Sequence, residues 1–147
     1  MLSGKNISKN YGDVSVLKNV DIEIAESEVI SIVGASGAGK STLLQILGTL
    51  EKPDAGTVKL FDNDYTNLSN NDLSKLRNEK IGFVFQFHNL MAELTAIENI
   101  CLPAWIGGAD KDITTKNATD LLELMGLSHR KTHFPSQLSG GEQQRVA

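Results

Sequence analysis

Residues Gly34 to Thr42 read GASGAGKST, and they follow VISIV, residues 29 to 33, an apolar run rich in β-branched side chains that predicts a buried central strand. Gly34, Gly39, Lys40 and Ser41 stand at the spacing of a phosphate-binding loop. The residue types follow from the chemistry. A polyphosphate is held by many backbone N–H donors at close range, and glycine lets the chain turn through positive φ with no side chain in the way. TLLQILG comes next and predicts a helix over 39–47 whose N-terminus faces the same anion, with a left-handed cap expected at Gly48. The candidate phosphate-binding set is therefore Gly34, Ala35, Ser36, Gly37, Ala38, Gly39, Lys40, Ser41 and Thr42. Within it Lys40 neutralises the β- and γ-phosphates and the Ser41 hydroxyl ligates Mg²⁺.

With 147 residues, 40% of them hydrophobic, the chain is long enough for one domain with a core. A net charge of −4 and the lack of any Lys/Arg-rich run argue against nucleic acid as a partner, since that needs a basic face. The single cysteine, Cys101, lies in the apolar segment IENICLP. It excludes an intramolecular disulfide and predicts a small buried hydrophobe in a reducing, cytosolic setting. No apolar stretch approaches the ~20 residues of a membrane span, and MLSGKNISKN lacks the core of a signal peptide. Membrane association is expected through a partner.

Towards the N-terminus, VSVLKNVDIEI, residues 14 to 24, alternates from Val20 through Ile24 and predicts a half-exposed antiparallel strand. Leu2 to Ile7 predicts another, followed by Tyr11 and Gly12 in a turn. Past the loop, PDAG from Pro53 is a turn, TVKLF at 57–61 a strand, and Asp72 to Asn78 a short helix capped by Ser69. IGFVFQ, residues 81 to 86, predicts a second buried strand ending in Gln86. Ligands of open α/β sheets gather at the carboxyl ends of strands, so Gln86 is a candidate for the same site. Thr95 and Glu98 form a capping box ahead of a helix that Pro103 is expected to end. ITTKNATDLLELMG, residues 113 to 126, predicts an amphipathic helix with Leu121, Leu122, Leu124 and Met125 inward and Gly126 as its stop. His88, His129 and His133 share no metal-ligand spacing and are read as surface or packing residues.

The segment LSGGEQQRVA, residues 138 to 147, carries a second capping box, Ser139 with Glu142, around two glycines. It is either a plain helix cap or another anion-binding helix start. Joined with the phosphate loop about a hundred residues earlier, it resembles the signature sequence of the ATP-binding cassette (ABC) family, and the resemblance covers essentially the whole chain. That resemblance implies an α/β phosphate-loop NTPase (RecA-like) core with an antiparallel β subdomain and a helical subdomain, truncated. The divisions would be 1–86, 87–138 and 139–147, the last being the start of the signature helix. It implies that Tyr11 stacks on the adenine of ATP and that Gln86 senses Mg²⁺ and the attacking water. Ser139, Gly140 and Gly141 would contact the γ-phosphate of ATP held by a second subunit in a head-to-tail homodimer. The groove beside Gln86 to Ile100 would dock an integral membrane permease, which places the chain peripherally on the cytoplasmic face of the cell membrane. LRNEKIGFVFQFHNL and ELTAIENICLP look most like the lipoprotein-releasing and macrolide-export group. Ser27 departs from the pattern, standing in a turn where relatives usually carry glycine.

The family's apolar strand ending in a Mg²⁺-binding Asp, usually followed by the catalytic Glu, is not among these residues. The expectation is an N-terminal fragment in which VISIV and IGFVFQ lack their sheet neighbour. Such a chain binds nucleotide, hydrolyses it negligibly for want of the general base, and self-associates through its exposed edge. Three other readings stand beside this. A nucleotide-binding fragment with no catalysis of its own carries the same motifs. A soluble ABC ATPase acting on DNA repair or ribosomes would show coiled-coil insertions or basic arms. A small-molecule kinase would need a lid and an acceptor site and has no use for LSGGEQQRVA.

Overall fold

The alternation in VSVLKNVDIEI becomes one half of a long hairpin, in which β1 (Leu2–Tyr11) and β2 (Val14–Ile24) pair antiparallel across the turn Gly12–Asp13. Tyr11 is the last residue of β1, opposite Val14, rather than part of the turn. The hairpin opens the first of two bodies into which the chain divides in the computed structural model, Met1–Arg77 and Asn78–Ala147. The structure describes residues 1–61 and 63–147. β3 (Ala55–Leu60) pairs antiparallel with the other edge of β1, and β4 (Asn63–Asp64) with β3, giving the order β2-β1-β3-β4. Ile7, Leu17 and Val58 are buried from these strands, and α1 (Lys40–Leu47) adds Leu43, Ile46 and Leu47 to the same cluster at helical spacing. Tyr65, and Leu73 from α2 (Asn70–Lys80), complete it. The Tyr65 hydroxyl donates to the Leu47 carbonyl at 2.6 Å, which satisfies a buried phenol and a helix-end carbonyl together. Burial pushes that phenol's pKa well up. Ser69 accepts from the Asp72 N–H at 3.3 Å at the start of α2, as expected.

The expected left-handed cap at Gly48 is displaced by one residue. Gly48 has φ −84, and the left-handed residue is Thr49, φ 63. The hydrogen bonds explain the shift: Thr49 N–H donates to Ile46 O and Leu50 N–H to Gln45 O, the Schellman pattern, which puts the left-handed residue just past the cap. Ser27 likewise takes φ 61, so the turn expected of a glycine forms without one.

VISIV and IGFVFQ are not strands, contrary to expectation, and Val29 is 94% exposed, Val33 86% and Val84 75%. A strand is stable only where a neighbour takes its N–H and C=O groups. Among the described residues neither segment has such a neighbour, and the apolar run that the resemblance places beside them is not part of this sequence. Within the second of these segments Phe83 and Phe85 stack with centroids 5.5 Å apart.

The second body holds α3 (Ala96–Ile106), α4 (Lys111–Leu124) and α5 (Gly140–Val146), with 3₁₀ turns at Ser128–Arg130 and Pro135–Gln137. α3 opens on the expected box, Thr95 N–H donating to Glu98 Oε2 at 2.8 Å. It then runs through Pro103 instead of ending there. A proline inside a helix forfeits one bond, here to the Asn99 carbonyl. Packing of Trp105, two residues further on, against the core of this body continues the helix, and the Asn78 amide donates to Pro103 O at 2.7 Å. Cys101 is fully buried, as expected, and burial raises its thiol pKa. α4 begins where Asp110 caps the Asp112 and Ile113 N–H groups, both at 3.0 Å. Of the four residues expected inward on α4, only Leu122 is buried; Leu121, Leu124 and Met125 are exposed. The apolar residues at that helix end wrap around the axis, and only the stripe Thr114, Ala118, Leu122, spaced by four, is buried. Gly126, φ 69, stops the helix as expected.

Candidate functional site

In the first body the loop Gly34–Thr42 turns through Gly37 at φ 79 and Gly39 at φ 84 into α1. A Cβ on Gly39 would stand 3.0 Å from the Val16 carbonyl oxygen and 2.9 Å from the Leu17 side chain. Glycine there serves both the left-handed turn and the close packing of the loop on β2. Gly39 is also the N-cap of α1 and offers no side chain to its first-turn N–H groups, which leaves them to another acceptor. Lys40 Nζ donates to Gly34 O at 2.8 Å and Ala35 O at 2.7 Å, so the ammonium is held at the loop. Gly34 to Ala38 and Ser41 are exposed. Bare amides, a fixed ammonium and a hydroxyl form a donor set that suits a polyphosphate with a hard cation. Among the described residues no cluster of three or more His, Cys, Asp or Glu could hold a metal by itself.

Tyr11 lies in the same body, 46% exposed at the end of β1. Its hydroxyl donates to Glu51 Oε2 at 2.7 Å, and the Thr42 hydroxyl of the loop is close enough to act on the phenol. The bond to Glu51 raises the Tyr11 pKa; the same bond, followed by Lys9, lowers that of Glu51. Two expected ligands, Tyr11 and Thr42, thus stand side by side. Glu51 carries no signal in the sequence, being 40 residues from Tyr11 and outside any periodic pattern.

Gln86 and the signature belong to the second body. Gln86 is exposed at the end of the unpaired segment 81–86. Ser139 caps α5 by accepting from Glu142 N–H at 3.3 Å, while its own N–H donates to Glu142 Oε2 at 2.7 Å. Arg130 Nε donates to Glu142 Oε1 at 2.8 Å. These donors, the Ser139 N–H first, hold the Glu142 pKa down to about 2. Gln143 Nε2 donates to the Pro135 and Leu138 carbonyls at 2.9 and 3.1 Å. Leu138 and Val146 are buried, which anchors the segment at both ends while Ser139, Gly140 and Gly141 face solvent. A Cβ on Gly140 would meet nothing within 4 Å, so the packing of this chain does not require glycine there.

The family model for ABC transporters matches residues 17–147. The chain belongs to that family. Among curated ABC proteins it is 55% identical to the lipoprotein-releasing system ATP-binding protein LolD of Cytophaga hutchinsonii, over all of this chain and 67% of that protein. It is 50% identical to LolD of Bacteroides thetaiotaomicron over the same shares. The ATP-binding cassette MJ0796, solved as a dimer in a post-hydrolysis state bound to ADP and Pi, matches with TM-score 0.90 and 42% identity over 99% of this chain and 66% of that one. This ABC chain therefore spans about two thirds of the length of those proteins, and the α/β phosphate-loop fold expected from GASGAGKST and LSGGEQQRVA is the one it has. The ABC ATPase family binds ATP.

Proposed function

We propose that this chain is the nucleotide-binding part of an ABC ATPase subunit that binds Mg-ATP and, with an integral membrane permease, serves lipoprotein release or a related export. The observation that carries the reading is the loop itself: an uncapped helix start behind a left-handed Gly39, with the Lys40 ammonium held over the loop carbonyls. Gly34 to Thr42 cradle the phosphates, and Lys40 trades its carbonyl partners for phosphate oxygens. Ser41 ligates Mg²⁺, and Tyr11 stacks on adenine. Gln86 is assigned to sensing Mg²⁺ and the attacking water, as the family resemblance implies.

The dimeric MJ0796 cassette supports a homodimer in which Ser139, Gly140 and Gly141 of one copy close on the γ-phosphate of the other. The exposed, sterically unneeded glycine at 140 leaves room for that approach. The LolD relatives, named for a lipoprotein-releasing system, support the permease partner and a peripheral place at the membrane. No helix among the described residues is long and apolar enough to cross a membrane. The functional division we assign is 1–86 for the antiparallel β and phosphate-loop core, 87–138 for the helical subdomain and 139–147 for the start of the signature helix, with the groove beside Gln86 to Ile100 docking the permease.

Isothermal titration with Mg-ATP tests the reading. Lys40→Ala is expected to weaken binding at least about ten-fold, the loss of one charge-assisted contact to phosphate. Equal affinity of the two proteins overturns it.

A further inference from the structure

The end of β1 is tied to the segment that follows α1 by an unusually dense set of polar contacts. Lys9 Nζ pairs with Glu51 Oε1 at 2.9 Å and Asp54 Oδ1 at 3.2 Å, and donates to the Lys52 carbonyl at 2.8 Å. Asp54 Oδ2 accepts the Asn10 N–H at 2.7 Å, and Asp54 N–H donates to Ser8 O at 2.9 Å. Glu51 is shared: its other oxygen, Oε2, takes the Tyr11 hydroxyl at 2.7 Å. Lys9 and Tyr11 are two residues apart on β1 and so project from the same face of the strand. The Lys9 ammonium lies over the Tyr11 ring, 5.6 Å from its centroid.

A tyrosine at a strand end ordinarily keeps freedom about both side-chain torsions, and ordering it on binding costs affinity. Here its hydroxyl is anchored and one face of its ring is occupied by a cation, while the residue remains 46% exposed. We propose that Glu51, itself held by Lys9, is a positioning residue that fixes the Tyr11 ring before ligand arrives, so that a purine base stacks on the ring face opposite Lys9. This rests on the reading of Tyr11 as the adenine platform. It adds Glu51, on the far side of α1 in sequence, to the determinants of base recognition. Glu51 acts on the base through Tyr11 and leaves the phosphates to the loop.

Binding of Mg-ATP and of Mg-tripolyphosphate, which has no base, separates these roles in Tyr11→Ala, Glu51→Ala, Glu51→Gln and the double variant Tyr11→Ala/Glu51→Ala. Glu51→Ala is expected to weaken Mg-ATP about five-fold, the scale for newly ordering one side chain, with tripolyphosphate unchanged. Glu51→Gln retains an acceptor for the Tyr11 hydroxyl and is expected to restore most of the loss. The double variant is expected to bind Mg-ATP no more weakly than Tyr11→Ala alone, because Glu51 has nothing left to position. Effects that multiply, or a Glu51→Ala loss that falls equally on tripolyphosphate, overturn the proposal while leaving the Tyr11 reading intact. A Tyr11→Ala variant with unchanged Mg-ATP affinity overturns that reading and the proposal with it.

Discussion

Arg130 donates through Nε to Oε1 of Glu142 at 2.8 Å, joining the 3₁₀ turn Ser128–Arg130 to the first turn of the signature helix α5. The other oxygen of the same carboxylate takes the Ser139 N–H at 2.7 Å, so one side chain both closes the capping box and ties it to the rest of its body. Arg130 in turn reaches His133 at 3.2 Å, and the His133 and Lys131 carbonyls accept the Ala96 and Ile97 N–H groups that open α3. The exposed Ser139 is therefore held through a chain of contacts that ends at the start of another helix.

That geometry sets a pH dependence. The folded-state pKa of Glu142, about 2, lies below the ordinary 4.5 of a glutamate, so its contribution to stability is fully present above 4.5 and is lost as the pH falls towards 2. Glu98, depressed chiefly by the Thr95 hydroxyl, acts in the same direction in this body. The single tryptophan, Trp105, packs against the core of the second body and reports on it alone. Its fluorescence melting midpoint is expected to fall through this window in the wild type and to fall less steeply in Glu142→Gln. Identical slopes would remove Glu142 from the account.

How far the sequence announced this structure follows from the range of each interaction. The boxes at Thr95/Glu98 and Ser139/Glu142 and the alternation of Val20 to Ile24 are written within a few residues and formed as read. VISIV and IGFVFQ were legible as strand-prone, but a strand also needs a neighbour, and none pairs with them among the described residues. Glu51 beside Tyr11 and Arg130 beside Glu142 are products of the fold, 40 and 12 residues apart, with no local pattern to mark them.

Gly39 offers a test of the loop. An alanine there would have to hold φ 84, at a cost of roughly 1–2 kcal/mol for a left-handed residue, with its Cβ pressed on Val16 O. Gly39→Ala is expected to lower the thermal midpoint of the first body by several degrees, by about 4–8 °C per kcal/mol, and to abolish Mg-ATP binding in calorimetry. Retained affinity would show that the left-handed turn is dispensable.

Thr49 makes the opposite case. A β-branched residue at φ 63 is strained by about 1–3 kcal/mol, and among the described residues the hydrogen bond its side chain makes is a long one from Arg77 at 3.5 Å. The stronger bond, from Arg77 to the Thr49 carbonyl at 2.7 Å, survives any substitution. Thr49→Gly is expected to raise stability by about 0.5–1 kcal/mol in urea denaturation, the relief of strain exceeding the added entropy of the unfolded chain. A lower midpoint would mean that the buried threonine packs better than its backbone suffers.

The leucines of α4 separate the face that was expected from the one that is buried. Leu122 is 1% exposed in the core of the second body, whereas Leu124, two residues on, is 78% exposed. Truncating a core leucine removes its transfer free energy and leaves a cavity, together about 2–5 kcal/mol, while a surface change away from caps and charges stays within about 0.5 kcal/mol. Leu122→Ala is therefore expected to shift the Trp105-monitored denaturation midpoint strongly, and Leu124→Ala hardly at all. Comparable losses from the two would place Leu124 in a packed environment. The signature depends on the same core, since Leu138 and Val146, which bracket Ser139, Gly140 and Gly141, pack into one cluster with Leu122. Loosening that cluster is expected to free α5 as well, so hydrogen exchange at Gln143 to Val146 should accelerate in Leu122→Ala and remain at the wild-type rate in Leu124→Ala.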